Sequence, residues 1–219
     1  AEDPIEYELP KIAQKQVSAI LTYPLLARAF LRQDPDIMLI GEVRDSETAQ
    51  AISRAASTGH LALSTLHTTD SFSSIIRLQT LGLSKEVISN TLLGALSQRL
   101  LRRICSNCKT PHAPTHTQKK VLGHLIPQTT WIGKGCKACH GTGYQGRIGV
   151  FELFVNDHNI QDMLGEQRPI SELRAYAHQQ GYHSLLYDGL KKVESGLTTL
   201  EEILRALPLR YIMEMVSEK

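Results

Sequence analysis

Two C-x-x-C pairs, Cys105/Cys108 and Cys136/Cys139, constrain this chain more than any other feature. If the four thiolates share one metal, two distant stretches are pinned into one small volume. Four soft sulfur ligands suit a closed tetrahedral Zn²⁺ site with no open position for catalysis, although the same ligands can hold an iron–sulfur centre. The second pair lies in Gly135-Cys136-Lys137-Ala138-Cys139-His140-Gly141-Thr142-Gly143, where the glycines permit the tight turns of a knuckle. Between the pairs stand Pro111, Pro114 and Pro127 and little core material, so a metal staple takes the place of a core. A redox role is disfavoured, since one pair would suffice and neither opens a helix after a strand. His140 reads as a neighbour of the ligands, and the thiolates imply a reducing compartment.

The remaining composition excludes several classes. With 219 residues, 42% hydrophobic and 21% charged, the chain has material for one or two folded domains. Lys+Arg 24 against Asp+Glu 22 gives no bulk attraction to nucleic acid or an anionic membrane, which leaves only local basic patches. No run approaches about 18 consecutive apolar residues, and the start carries no signal peptide. The chain opens on Ala1-Glu2-Asp3-Pro4 without a methionine, as if something upstream has been removed.

The first half alternates. Tyr23 to Arg32 has a helical stripe, and Asp34-Pro35 stops it. Ile37 to Ile40 reads as a strand buried on both faces, as in a parallel sheet. Asp45 or Ser46 caps a helix running to Gly59, and Leu61 to Leu66 is a second strand. Thr69 or Asp70 caps a further helix towards Leu81-Gly82. Strand, helix, strand, helix argues for βαβ units. Ser84 to Ile104 reads as one long helix, with Arg99, Arg102 and Arg103 complementing its C-terminus. From Asp157 onward the pattern is helical, with candidates at Ile160–Leu164, from Ser171 to Gly181, at Leu185–Val193 and from Thr199, and Pro208 precedes a weak tail.

The candidate chemistry lies just after the two strands. Glu42 follows the first, where α/β proteins place active sites, and is suited to hold a water or a Mg²⁺–water shell. Arg44 can meet phosphate, while Asp45 fits better as a helix cap. His67 follows the second strand and His60 precedes it, at the opposite end. Glu2, Asp3 and Glu6 supply a third acidic group. No G-x-x-x-x-G-K-[ST] loop occurs anywhere, so the usual phosphate cradle is missing.

These residues resemble the motifs of the secretion and pilus-assembly ATPases, the bacterial motors of type II secretion and type IV pilus biogenesis. The resemblance covers essentially all 219 residues and corresponds to the C-terminal part of such an ATPase. Glu2-Asp3-Pro4-Ile5-Glu6-Tyr7 is similar to the family's Asp box. Gln14 to Val17 resembles its glutamine-rich turn, in a compressed segment lacking the usual glycine and phenylalanine. Ile37 to Asp45 is similar to the atypical Walker B strand, with Gly41 at the usual aspartate position and Glu42 as catalytic glutamate. Thr58 to Thr68 resembles the His box, with His60 and His67 as its histidines. Arg28, Arg32 and Arg44 match arginines that reach nucleotide phosphates, some across a subunit interface. Gln98-Arg99-Leu100 is also similar, as is Gly146 to Glu152, the segment returning from the zinc element. The tetracysteine element matches the secretion and pilus-extension branches.

The resemblance implies an α/β, RecA-like parallel-sheet P-loop NTPase core over residues 1–104, without its Walker A portion. A zinc element over 105–145 and a helical C-terminal subdomain over 146–219 follow. It implies ATP, Mg²⁺ and Zn²⁺ as cofactors and a homo-oligomer, a hexameric ring. The motor would be cytoplasmic and peripheral at the inner membrane, working against a platform protein and using no specific nucleic acid. Lacking the loop, the chain alone is expected to hydrolyse little or no ATP. Two rivals remain: a non-catalytic zinc-bearing interaction module from a truncated or degenerate paralogue, and a zinc-ribbon nucleic-acid binder.

Overall fold

A computed structural model of the chain describes residues 1–217. The elements run α1 (Tyr23–Phe30), β1 (Ile37–Ile40), α2 (Ser46–Ser57), β2 (Leu61–Ser64), α3 (Ser73–Thr80), α4 (Lys85–Thr91) and β3 (Gly94–Ile104). Then come β4 (Lys109–Pro111), α5 (His116–Leu122), β5 (Trp131–Gly133), β6 (Tyr144–Val155), α6 (His158–Gly165), α7 (Ile170–Gln179), α8 (Leu185–Glu194), α9 (Leu200–Ala206) and α10 (Leu209–Ser217). They form two compact units, each discontinuous in sequence.

The first unit comprises Ala1–Thr68, Phe72–Ala95 and Val155–Tyr176. Strands β1 and β2 pair in parallel, with Ile37 opposite Leu61 and Ile40 opposite Ser64. Residue 1 extends this ladder: the Ala1 nitrogen donates to the Leu39 carbonyl (2.7 Å), and Gly41 N–H donates to the Ala1 carbonyl (2.8 Å). Helix α1 carries a proline in its first turn, where no amide bond is lost. Helix α2 is capped by Asp45, whose carboxylate accepts from Thr48 N–H at 2.8 Å. Leu26 and Ala27 of α1 and Ala51 of α2 pack with Ile40.

Both helices therefore cover one face of the pair. On the other face Ile37 is 60% exposed and Leu39 48%, joined by Leu61 and Leu63. The expectation of a strand buried on both faces is thus corrected. The continuous apolar run is real, but the described residues put a layer on only one side.

The expected helix over 84–104 is corrected as well. Ser84 caps the short α4, and Leu92 leaves it with extended backbone (φ −79°, ψ 119°). Gly94 then opens strand β3, paired with β6. The apolar positions at 96, 100, 101 and 104 admit either period; pairing with β6 and burial of Ser97, Leu101 and Ile104 select the strand. The arginines serve this strand and not a helix end: Arg99 donates to the Thr69 carbonyl, and Arg102 pairs with Glu202. Nor does Thr69 or Asp70 cap α3, whose cap position is Phe72. The Thr69 carbonyl and the Ser71 amide are engaged by Arg99 and Glu152.

The second unit comprises Thr69–Ser71, Leu96–Phe154 and the chain from Ala177. Its core joins Leu101 and Val150 of the β3–β6 ribbon to Leu186, Val193, Ile203 and Ile212 of the C-terminal helices. The tail after Pro208, read as weak, is helix α10, with Tyr211, Ile212 and Met215 buried. Two buried carboxylates organise the unit. Glu152 accepts from Ser71 N–H, Leu185 N–H (3.0 Å) and the Tyr211 hydroxyl (2.7 Å). Glu202, fully buried, accepts from Arg102 and Arg205. No helix among the described residues is long and apolar enough to cross a membrane.

Candidate functional site

In the first unit the parallel register brings the two strand ends together. Ser64 Oγ donates to the Ile40 carbonyl and Thr65 Oγ1 to the Gly41 carbonyl, both at 2.6 Å, while Val43 N–H donates to the Thr65 carbonyl at 3.0 Å. Glu42 therefore emerges beside His67. It is 9% exposed, with Oε2 at 3.2 Å from His67 Nε2 and Oε1 paired to the Arg44 guanidinium. Burial pushes the Glu42 carboxyl up, but the hydrogen bonds from Arg44 and His67 outweigh it and hold it below the usual range. The carboxylate is ionised and oriented at neutral pH, while the side chain of His67 is 83% exposed.

Tyr23 and Asp3 join this neighbourhood. Burial and then the charges of Glu42 and Asp3 raise the Tyr23 phenol above its ordinary value. A Cβ at position 41 would lie 2.8 Å from Tyr23 Oη, so glycine is needed there. Tyr23 read in the sequence only as the start of a helix, and no pattern marked it for the site. Arg77 was also missed; its guanidinium donates to the Arg44 carbonyl at 3.3 Å.

Glu2 borders the same neighbourhood, its Cα 3.5 Å from where a Cβ at position 41 would lie and its charge acting on Tyr23, while the remaining candidates lie elsewhere. Glu2 accepts from Gln14 Nε2 at 2.9 Å, and Glu6 is exposed beyond Pro4. His60 Nδ1 sits 3.0 Å from both the Ala55 carbonyl and Thr58 Oγ1, at the C-terminus of α2 and the far end of β2 from His67. Arg28 pairs with Glu47 at 2.7 Å, exposed on both sides, and Arg32 is exposed beyond α1.

In the second unit Cys105, Cys108, Cys136 and Cys139 present four sulfurs all within 4.8 Å of one another. Cys105 and Cys136 are 3.8 Å apart, and Cys108 and Cys139 3.9 Å. Antiparallel β4 and β5 bring the two C-x-x-C turns together, with Lys109 opposite Gly133. Gly133 and Gly143 approach so closely that a side chain on either would strike the other's backbone. Cys139 Sγ accepts from Cys136 N–H (3.2 Å) and Gly143 N–H (3.3 Å). Desolvation pushes the Cys139 thiol up, but these amides and the neighbouring sulfurs bring it down to about 6. Desolvation and the other three sulfurs push Cys108 up to about 12, so the apo cluster cannot hold all its thiolates together without a cation. An all-sulfur tetrad with amide donors to sulfur fits Zn²⁺, and the cluster is a zinc-type binding site.

Residues 1–205 match the family described as "Type II/IV secretion system protein". The type IV pilus assembly ATPase PilB of Thermus thermophilus is 45% identical over 209 residues, covering 93% of this chain and 24% of that protein. The type II secretion system protein HxcR of Pseudomonas aeruginosa is 44% identical over 206 residues, covering 93% of this chain and 41% of that protein. Among solved structures, the pilus retraction motor PilT with bound ADP aligns with TM-score 0.67 at 28% identity, over 94% of this chain and 51% of that one. The chain thus spans well under half the length of these curated relatives.

Proposed function

The chain belongs to the type II/IV secretion system protein family, with a P-loop NTPase-superfamily fold, and on that premise we propose that it carries the water-activating part of an ATP-hydrolysing motor for protein secretion or pilus assembly. The observation that carries this reading is the Glu42–Arg44–His67 cluster at the joined ends of two parallel strands. A carboxylate held ionised there accepts a hydrogen bond from an attacking water and takes its proton. Arg44 fixes one carboxylate oxygen and His67 the other, so Glu42 has one orientation. Arg28, exposed on α1 in a solvent-facing pair with Glu47, and Arg32, exposed beyond it, are placed to meet phosphates bound by a neighbouring copy in a ring. When bound, Mg²⁺–ATP supplies the reacting phosphoryl group and the cation that neutralises its oxygens. Glu2 and Glu6 support the hydrated cation in this reading, and His60 contributes by shaping the start of β2.

These 219 residues contain no G-x-x-x-x-G-K-[ST] loop, so the phosphate cradle of the RecA-like core comes from residues outside them. The whole motor is a cytoplasmic, ring-forming ATPase, hexameric and peripheral at the inner membrane, acting on a platform protein. The same missing loop favours a second reading, a zinc-bearing interaction module without catalysis. ATP hydrolysis separates them, measured on this chain and on the chain extended by its upstream coding sequence. The motor reading expects negligible turnover from the first. It expects turnover from the second that falls about 10²- to 10⁴-fold in Glu42→Gln. An extended chain indifferent to that substitution would sink the assignment of Glu42.

A further inference from the structure

Position 41 carries no side chain where a P-loop NTPase has use for one. The Walker B strand of that superfamily brings an aspartate to Mg²⁺. In the strand that resembles it here, that position is Gly41, directly after β1 and before Glu42. The space is filled from α1. A Cβ at 41 would lie 2.8 Å from Tyr23 Oη, closer than to the Ala1 carbonyl oxygen at 3.2 Å or to Glu2 Cα at 3.5 Å. A phenol oxygen thus sits where the side chain of an acid at 41 would begin.

The ring of Tyr23 belongs to the core: the residue is 9% exposed and packs with Ala1, Leu26 and Ile40. Phenylalanine would serve that packing equally, so only the hydroxyl asks for a further reason. It makes no hydrogen bond with a described residue and is not sealed from solvent, although a tyrosine buried to this degree usually has a partner for its O–H. It faces the charges of Glu42, Asp3 and Glu2, with Arg44 opposing them. Burial first, and these carboxylates next, push its pKa up, so it stays a neutral phenol. A neutral phenol is a poor direct ligand for a cation but a good acceptor for a metal-bound water, and Mg²⁺ keeps several of its waters. The same three carboxylates favour a cation beside it. We propose that Tyr23 is a further residue of the nucleotide site: its hydroxyl takes the place left open by Gly41 and accepts a hydrogen bond from a water of the Mg²⁺ that accompanies the nucleotide. The inference rests on the motor reading, and its test separates the two.

The test uses the chain extended by its upstream coding sequence, loaded with ADP. Tyr23→Phe removes the hydroxyl and leaves the ring in the core. The Mg²⁺ concentration that half-saturates the ADP complex, read by titration calorimetry, should rise about five- to tenfold in Tyr23→Phe, the worth of one ordinary hydrogen bond. Affinity for ADP without Mg²⁺ should stay within about twofold. In protein labelled with ¹³Cζ-tyrosine, the resonance that Tyr23→Phe removes should shift when Mg²⁺ joins ADP. A merely structural hydroxyl would change the melting temperature and leave the Mg²⁺ requirement and that resonance unmoved, which overturns the inference. Slower ATP turnover in Tyr23→Phe with an unchanged Mg²⁺ requirement would put the hydroxyl on the attacking water, and overturns it too. If Glu42→Gln abolishes turnover while Tyr23→Phe keeps the wild-type Mg²⁺ requirement, this inference alone fails. An extended chain that binds no ADP, or whose turnover ignores Glu42→Gln, sinks the motor reading and this inference with it.

Discussion

His67 Nε2 stands 3.2 Å from Glu42 Oε2 although 25 residues separate them in sequence. Each lies just beyond the C-terminal end of its strand, and the register that sets Ile40 opposite Ser64 brings them side by side. Arg44 occupies the other oxygen of the same carboxylate. Two donors on separate oxygens define the plane of the Glu42 carboxylate before any ligand arrives.

Glu42 should therefore titrate below the ordinary carboxylate range, and Arg44→Met or His67→Phe should move it up. Its folded value is depressed, so its contribution to stability is complete above about 4.5, the unperturbed value, and is lost as pH falls through the folded value. Carbon-detected NMR of the side-chain carboxyl measures it; an unshifted Glu42 in Arg44→Met would show that the pair does not orient the group.

Glu202 makes the stronger pH prediction. Desolvation pushes its carboxyl up, but Arg205 and Arg102 hold it down at about 2. The depressed value makes its stabilisation complete above about 4.5 and lost progressively towards pH 2. The two arginines are partly exposed, which limits the size to about 1–3 kcal/mol. Urea unfolding of wild type and Glu202→Gln should differ by that amount at pH 7 and converge near pH 2. Parallel curves across this range would contradict the linkage.

Removal of zinc should loosen the β4–β5 hairpin while sparing the first unit. Cys139→Ser or a strong chelator should abolish the metal measured by emission spectrometry. Hydrogen exchange should accelerate at the Lys109 and Thr110 amides and at those of Trp131–Gly133, whose strands have little core beneath them. Unchanged exchange there on metal loss would mean that the hairpin stands by itself.

Glu152→Ala should destabilise by about 3 kcal/mol, because it leaves the Ser71 and Leu185 amides and the Tyr211 hydroxyl without their shared acceptor. Tyr211→Phe removes one donor to Glu152 and one of the two acceptors of the Leu185 amide, which keeps Glu152, and should cost about 1 kcal/mol. Denaturant midpoints decide; equal costs would mean that the carboxylate is not the hub.

Arg28→Ala, by contrast, should change stability by less than about 1 kcal/mol, since its pair with Glu47 is exposed on both sides. Activity lost in an assembled ring despite an unchanged melting profile would assign Arg28 to the neighbouring site.

Local signals made much of this legible. The cysteine spacing announced a metal site, Asp45 and Thr199 announced helix starts, and Gly59 and Gly181 announced stops. Glu42 and His67 were readable because each follows a short apolar run. What escaped depends on partners far along the chain. The run from Leu96 to Ile104 suits a helix until β6 pairs with it about 50 residues later. Tyr23 carries no mark of its role, since its hydroxyl reaches Gly41 only through the packing of α1 on β1. The hairpin at 109–133 was hidden by prolines and by three-residue strands. Helix α10 followed a proline that read as an ending.

The bare side of the β1–β2 pair has a practical consequence. Ile37, Leu39, Leu61 and Leu63 offer a flat, branched, uncharged surface on a sheet two strands wide. Such a surface is a template for stacking between molecules. Concentrated solutions of the isolated 219 residues should therefore scatter light and form β-rich oligomers in proportion to concentration. Placing lysine at 37 and 61 should clear the solution without disturbing Met38 or Ile40 beneath.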